Sequence, residues 1–214
     1  MSESVRECFE RLFSEHGLPA AIRSDNGSPF ASVQGLLGLT RLSAWWLALG
    51  IDLERGRPGC PQDNGAHERM HKDISDELQS HRAYQQEAFD QWRHEFSNER
   101  PHEMLGMACP AEVYHPSKRV HNGTPEVLDY QGMDTRRVQK KTGTIRYKGI
   151  HIPISSAIGG WDVGLGAVDK DRIELCFANL LIGYLDARCY SFHPIRPEGE
   201  SHAAATRADS ATLH

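Results

Sequence analysis

Residues 20–27, Ala20-Ala21-Ile22-Arg23-Ser24-Asp25-Asn26-Gly27, are a short apolar-leaning run that breaks directly into a turn sequence. Four residues suit a buried strand, and Ser-Asp-Asn-Gly is the composition that ends one. Asp25 then sits at the strand's carboxyl end, where α/β sheets gather ligand-binding groups. Upstream, Val5, Cys8, Phe9, Leu12 and Phe13 recur at i, i+3, i+4, i+7 and i+8, which makes one face of a helix apolar. Gly17 closes that helix and Pro19 prevents its restart. Downstream, residues 40–49 read as a helix and Ile51-Asp52-Leu53-Glu54 alternates as a strand does. Arg57-Pro58-Gly59-Cys60-Pro61 is a loop. Residues 62–81 are charged and helix-compatible, and 84–98 form a further helix with Phe89, Trp92 and Phe96 along one side. This order of elements is an α/β arrangement.

After Pro116 the texture changes. Short alternating or β-branched runs at 134–140, 144–148, 150–154, 171–177 and 179–185 are punctuated by glycines, including Gly143, Gly149, Gly164, Gly166 and Gly183. Such a pattern predicts a small β-barrel or sandwich. A linker at 115–133 carries Pro116, Gly123, Pro125 and Gly132, and the small, polar residues 197–214 predict a disordered tail. The domains expected are therefore 1–118, 119–196 and the tail.

The 214 residues are 39% hydrophobic and 25% charged with a net charge of -5, enough apolar content for a core. No apolar run approaches the ~20 residues that span a bilayer, so no membrane partner is expected. The acidic start argues against a secretory signal. Five widely spaced cysteines without a CxxC pair argue against a disulfide framework or zinc ribbon, so a cytoplasmic location is expected. The net charge hides an asymmetry. Residues 1–118 carry 12 Lys+Arg against 18 Asp+Glu, and residues 119–196 carry 11 against 8. A basic second part points to a nucleic-acid surface there.

Three groups of residues bear on chemistry. Asp25 and Glu68, one from a strand end and one early on the 62–81 helix, are the kind of oxygen donors that hold Mg²⁺ or Mn²⁺. The competing reading is a surface turn and a solvated helix. His67-Glu68-Arg69-Met70-His71 satisfies H-E-x-x-H, the zinc metalloprotease pattern, but no Gly-x-x-His extension follows it. Finally, residues 136–148 hold six cations, Arg136, Arg137, Lys140, Lys141, Arg146 and Lys148, and no acid. On two strands joined near Gly143 they would present a phosphate-binding stripe with Tyr147 for stacking. The competing reading there is a hairpin edge kept soluble by its charges.

The surroundings of the two carboxylates carry a resemblance. Gly17-Leu18-Pro19 with Ile22-Arg23-Ser24-Asp25-Asn26-Gly27-Ser28-Pro29-Phe30 resembles the second acidic motif of the DDE transposases and integrases. Pro61-Gln62-Asp63-Asn64-Gly65-Ala66-His67-Glu68-Arg69 resembles the third. Asn98-Glu99-Arg100-Pro101-His102-Glu103-Met104-Leu105-Gly106 and Cys109-Pro110-Ala111-Glu112-Val113-Tyr114 are similar to the segment that ends this core in bacterial insertion-sequence transposases. The resemblance implies a ribonuclease-H-like core followed by a small SH3-like β-barrel. It implies a DNA strand transferase in which carboxylates bind Mg²⁺ or Mn²⁺, acting on DNA in a bacterial cytoplasm. By motif Asp25 is the second carboxylate and Glu68 the third. Asn26, Gly27, Asn64 and Gly65 would shape the active-site loops, and Arg69 and Lys72 would contact DNA phosphates.

The departures shape the functional expectation. The family's first Asp lies on a strand upstream of the first helix, and here that helix is expected to begin near Met1. Asp52 and Asp63 are poor substitutes, the first on a strand after the wrong helix and the second in the turn before Glu68. The core is therefore expected to be incomplete and inactive alone. The alternative is a non-catalytic modulator that binds DNA, a second copy or a full-length transposase.

Overall fold

The computed structural model describes residues 4–24, 27–32, 35–56, 65–78, 85–123 and 128–195. The expected tail at 197–214 and the loop residues Asp25, Asn26 and Asn64 lie outside them. The chain divides into two compact units that interleave in sequence, Met1–Pro19 with Arg55–Asn122 and Ala20–Glu54 with Gly123–His214.

In the first unit, helix α1 spans Val5–His16 and opens on a capping box between Ser4 and Glu7. Its apolar stripe is only partly used: Phe13 is buried, Cys8 and Phe9 are half-buried, and Val5 and Leu12 are exposed. The helix stops at Gly17, whose φ is 77°. A side chain there is barred twice, by that conformation and by the Ser117 carbonyl oxygen, which would stand 2.6 Å from a Cβ. Residues 117–119 strap the helix end: Ser117 N–H donates to His16 O at 3.0 Å, and Leu18 N–H to Arg119 O at 2.7 Å. Helices α3 (Gly65–Leu78), α4 (Gln85–Asn98) and the short α5 (Pro110–Val113) complete this unit. Trp92 of α4 is buried and stacks on Phe96 with 4.9 Å between ring centroids.

The second unit begins with strand β1 (Ala21–Ser24), helix α2 (Arg41–Ala48) and strand β2 (Asp52–Arg55), and β1 and β2 form a two-stranded sheet. Helix α2 buries everything from Ser43 to Ala48, and Phe30 stacks on Trp46 at 5.9 Å. Strands β3 (Asp134–Arg137), β4 (Thr144–Tyr147), β5 (Ile150–Pro153), β6 (Asp162–Ala167), β7 (Arg172–Phe177), β8 (Leu180–Asp186) and β9 (Ser191–Pro194) follow. They form an antiparallel five-stranded sheet in the order β3-β6-β7-β8-β9 and a separate β4-β5 hairpin. Leu39, Ala44, Leu47 and Ala48 share one apolar core with Val138, Ile145, Ile152, Val163, Leu175, Phe177, Ile182 and Leu185. Helix α2 and the sheet are thus one folding unit, because neither could cover its apolar face alone.

Two expectations are corrected here. Among the described residues no closed barrel forms: the hairpin lies beside β3 and β9, but no ladder of hydrogen bonds joins it to either. The basic segment is not one hairpin. Its first half, β3, pairs with β6, and its second half, β4, pairs with β5. At Gly143 the chain turns under residues 154–155, whose N–H groups both donate to the Gly143 carbonyl.

Tyr130 locks the linker onto the sheet. Its hydroxyl donates to the Asp162 carbonyl at 2.8 Å and accepts from the Ala178 N–H at 3.1 Å. Its ring lies against Gly164, where a Cβ would stand 2.4 Å from Tyr130 Cδ1. Burial pushes the phenol up to about 12, with the Asp162 charge adding to the shift and the Ala178 N–H opposing it. The folded pKa lies above the ordinary value of 10.0, so this stabilisation is present below pH 10 and is lost as pH rises through 12. We expect a loss of about 2–3 kcal/mol across that window, read as a falling unfolding temperature. Tyr130→Phe should flatten the alkaline fall; an unchanged alkaline profile in that variant would disprove the assignment.

Candidate active site

Of the two candidate carboxylates, Glu68 lies among the described residues. Strand β1 ends at Ser24, immediately before Asp25 in sequence, and further along the N–H groups of Phe30 and Ala31 both donate to Gly27 O. Glu68 stands in the first turn of α3, four residues from the described start at Gly65 if both ends are counted. A carboxylate in a first helical turn is favoured by the unpaired N–H groups there. Gly65 and Gly27 are exposed, as are Glu68, Arg69 and Lys72. Lys72 follows Glu68 at i+4, so the two share a helix face.

Glu68 is exposed and makes no hydrogen bond or ion pair with another described side chain. As a donor it fits: carboxylate oxygen suits Mg²⁺ and Mn²⁺. The set is short, however. Among the described residues no group of three or more His, Cys, Asp or Glu side chains converges on a metal-sized space. Asp25 and the His67 side chain lie outside what is described.

Behind Glu68, helix α3 is tied down by a network that sequence reasoning missed. Glu77 accepts from Arg100 through both guanidinium nitrogens, at 2.8 Å and 2.5 Å, and from Trp92 Nε1 at 2.9 Å. The Arg100 guanidinium also lies 5.9 Å from the centroid of a Trp92 ring. The Arg100 hydrogen bond holds the Glu77 carboxyl below its ordinary range. Arg100 was visible as part of the Asn98–Gly106 motif, but nothing in its spacing names a partner 23 residues away.

The six cations of 136–148 divide in two. Arg136 pairs with Asp134, and Arg137 pairs with Asp162 of the neighbouring strand at 3.1 Å. Lys140, Lys141, Arg146 and Lys148 are exposed and have no carboxylate partner among the described residues. Lys148 sits 5.4 Å from the Tyr147 ring centroid. No described helix is long and apolar enough to cross a membrane.

In sequence, the acidic motifs and the segment that follows them have the order of an insertion-sequence transposase or integrase-like catalytic core. Comparison with known proteins bears this out: residues 49–110 match the integrase core domain family, a stretch that includes Glu68 and Arg100. The chain is also similar to the insertion element IS407 uncharacterized 31.7 kDa protein of Burkholderia multivorans (strain ATCC 17616 / 249). It is 28% identical over 113 residues, which is 50% of this chain and 38% of that protein.

Proposed function

We propose that this chain is part of a DNA transposition or integration apparatus that works by metal-dependent phosphoryl transfer. The observation that carries the reading is the integrase-core match over 49–110, which includes an exposed Glu68 in a first helical turn. In this reading residues 1–118 belong to a ribonuclease-H-like core and 119–196 to a β module that contacts DNA, open where an SH3-like barrel was expected. Asp25 and Glu68 are its second and third carboxylates and would hold Mg²⁺ or Mn²⁺. When bound, such an ion activates an attacking oxygen and stabilises the leaving one. Arg69 and Lys72 would hold DNA phosphates beside Glu68, and Asn26, Gly27, Asn64 and Gly65 would shape the active-site loops.

The 214-residue polypeptide carries two of the three motif carboxylates, and it is expected to join no labelled DNA end to a plasmid in Mg²⁺ or Mn²⁺. Joining that is lost in Glu68→Gln would overturn this. The metal assignment is checked by water-proton relaxation in a Mn²⁺ titration: weak binding should disappear in both Asp25→Asn and Glu68→Gln. A second reading, a DNA-binding modulator of a complete transposase, is favoured by the four cations of 136–148 that have no carboxylate partner among the described residues.

A further inference from the structure

Helix α3 carries Glu68, yet it has little apolar hold on the rest of its unit. Of its described side chains only Met70, Asp73, Ile74 and Leu78 are half-buried, and the others are exposed. Glu77, nine residues beyond Glu68 and about 13 Å along the axis, is gripped from two sides. Trp92 reaches it from α4 and Arg100 from the segment after α4. Arg100 is in turn steadied by the Trp92 ring and by Glu95 at 4.0 Å. A two-pronged guanidinium-carboxylate pair fixes direction as well as distance, which a single ammonium contact does not.

We propose that Arg100 is a positioning residue: its bidentate grip on Glu77 sets where helix α3 lies and thereby holds Glu68 in place. This rests on the Glu68 assignment above, but the clamp is itself a separate physical claim. It gives the Arg100-Pro101 motif a task that no contact with DNA or metal is needed to explain. Arg100 and Glu77 act through each other, so removing either should release the helix, and removing both should cost no more than removing one.

The test is amide hydrogen exchange on the full chain, read on peptides from 65–78 and, as a folding control, from 162–186. Arg100→Ala and Glu77→Gln should each lower protection of 65–78 by about tenfold or more, with the sheet peptides unchanged. The double variant should match the singles, and Arg100→Lys should recover only part of the loss. Unchanged protection of 65–78 in the single variants, or additive losses in the double, would overturn the clamp. The same samples are titrated with Mn²⁺. Binding that needs Glu68 and weakens in Arg100→Ala supports the positioning role; binding that needs Glu68 but ignores Arg100 overturns it. If the parent binds no Mn²⁺, the metal reading of Glu68 fails by itself, and the exchange data still decide whether Arg100 sets the helix.

Discussion

Replacing Lys140, Lys141, Arg146 and Lys148 by Ala is expected to remove most of the affinity of this chain for duplex DNA. Residues 1–118 carry an excess of acids, 18 against 12 cations, so their long-range field opposes a polyanion. Most of the attraction is therefore expected from the β module, and within it from those cations of 136–148 that no carboxylate neutralises. Arg136 and Arg137 are engaged by Asp134 and Asp162, so Ala at those two positions should cost much less than Ala at two of the free four. Each phosphate contact contributes about -0.9 to the slope of log K against log salt, so four contacts weaken binding roughly a hundredfold for each fourfold rise in salt. The quadruple variant should flatten that slope, and Glu68→Gln should leave it nearly unchanged. Little sequence preference is expected, since phosphate contacts position a protein without reading bases. Fluorescence-anisotropy titrations at several salt concentrations measure all of this. Parental affinity in the quadruple variant would show that these residues serve only to keep the hairpin soluble.

A large stability effect from a single added atom is expected at Gly164. A Cβ there would overlap the Tyr130 ring at 2.4 Å and approach the Met133 sulfur at 3.0 Å. Gly164 is buried in β6, the second strand of the sheet, so neither ring nor strand has free space to yield. Overpacking of this kind costs about 1–3 kcal/mol, and displacing the ring also strains the Tyr130 hydrogen bonds to Asp162 and Ala178. We expect Gly164→Ala to lower the unfolding temperature by roughly 5–10 °C. In a Tyr130→Ala background the same substitution should cost almost nothing, because Ala is intrinsically better than Gly inside a strand. Calorimetry on the four proteins gives the coupling. Equal losses in both backgrounds would mean that the ring is not the obstacle.

Gly164 also shows where sequence reading stops. Helices α1, α2, α3 and α4 and strands β1 and β2 were legible because their signals are local: a 3.6-residue stripe, a capping residue, a short apolar run ending in a turn. Strand β6 was missed, since Gly164 and Gly166 look like turn punctuation. They are strand residues two apart, and each lacks a side chain because Tyr130 and Met133 lie across that face. Strand β9 was missed for the related reason that Ser191-Phe192-His193-Pro194 is too short and polar to declare itself without its partner β8.

The same division runs through the candidate site. The order of acidic motifs, the placement of Glu68 at a helix start and the concentration of cations at 136–148 are properties of neighbouring residues, and the chain spells them out. Which of those cations stay free is a different matter, because Arg137 meets Asp162 only when β3 pairs with β6, 25 positions away. The grip of Arg100 on Glu77 and the sharing of one core by α2 and the C-terminal sheet are likewise contacts between distant segments. Local propensity and periodicity act over a turn or a strand, whereas ion pairing, ring packing and core closure depend on which segments meet. Only the folded chain decides those.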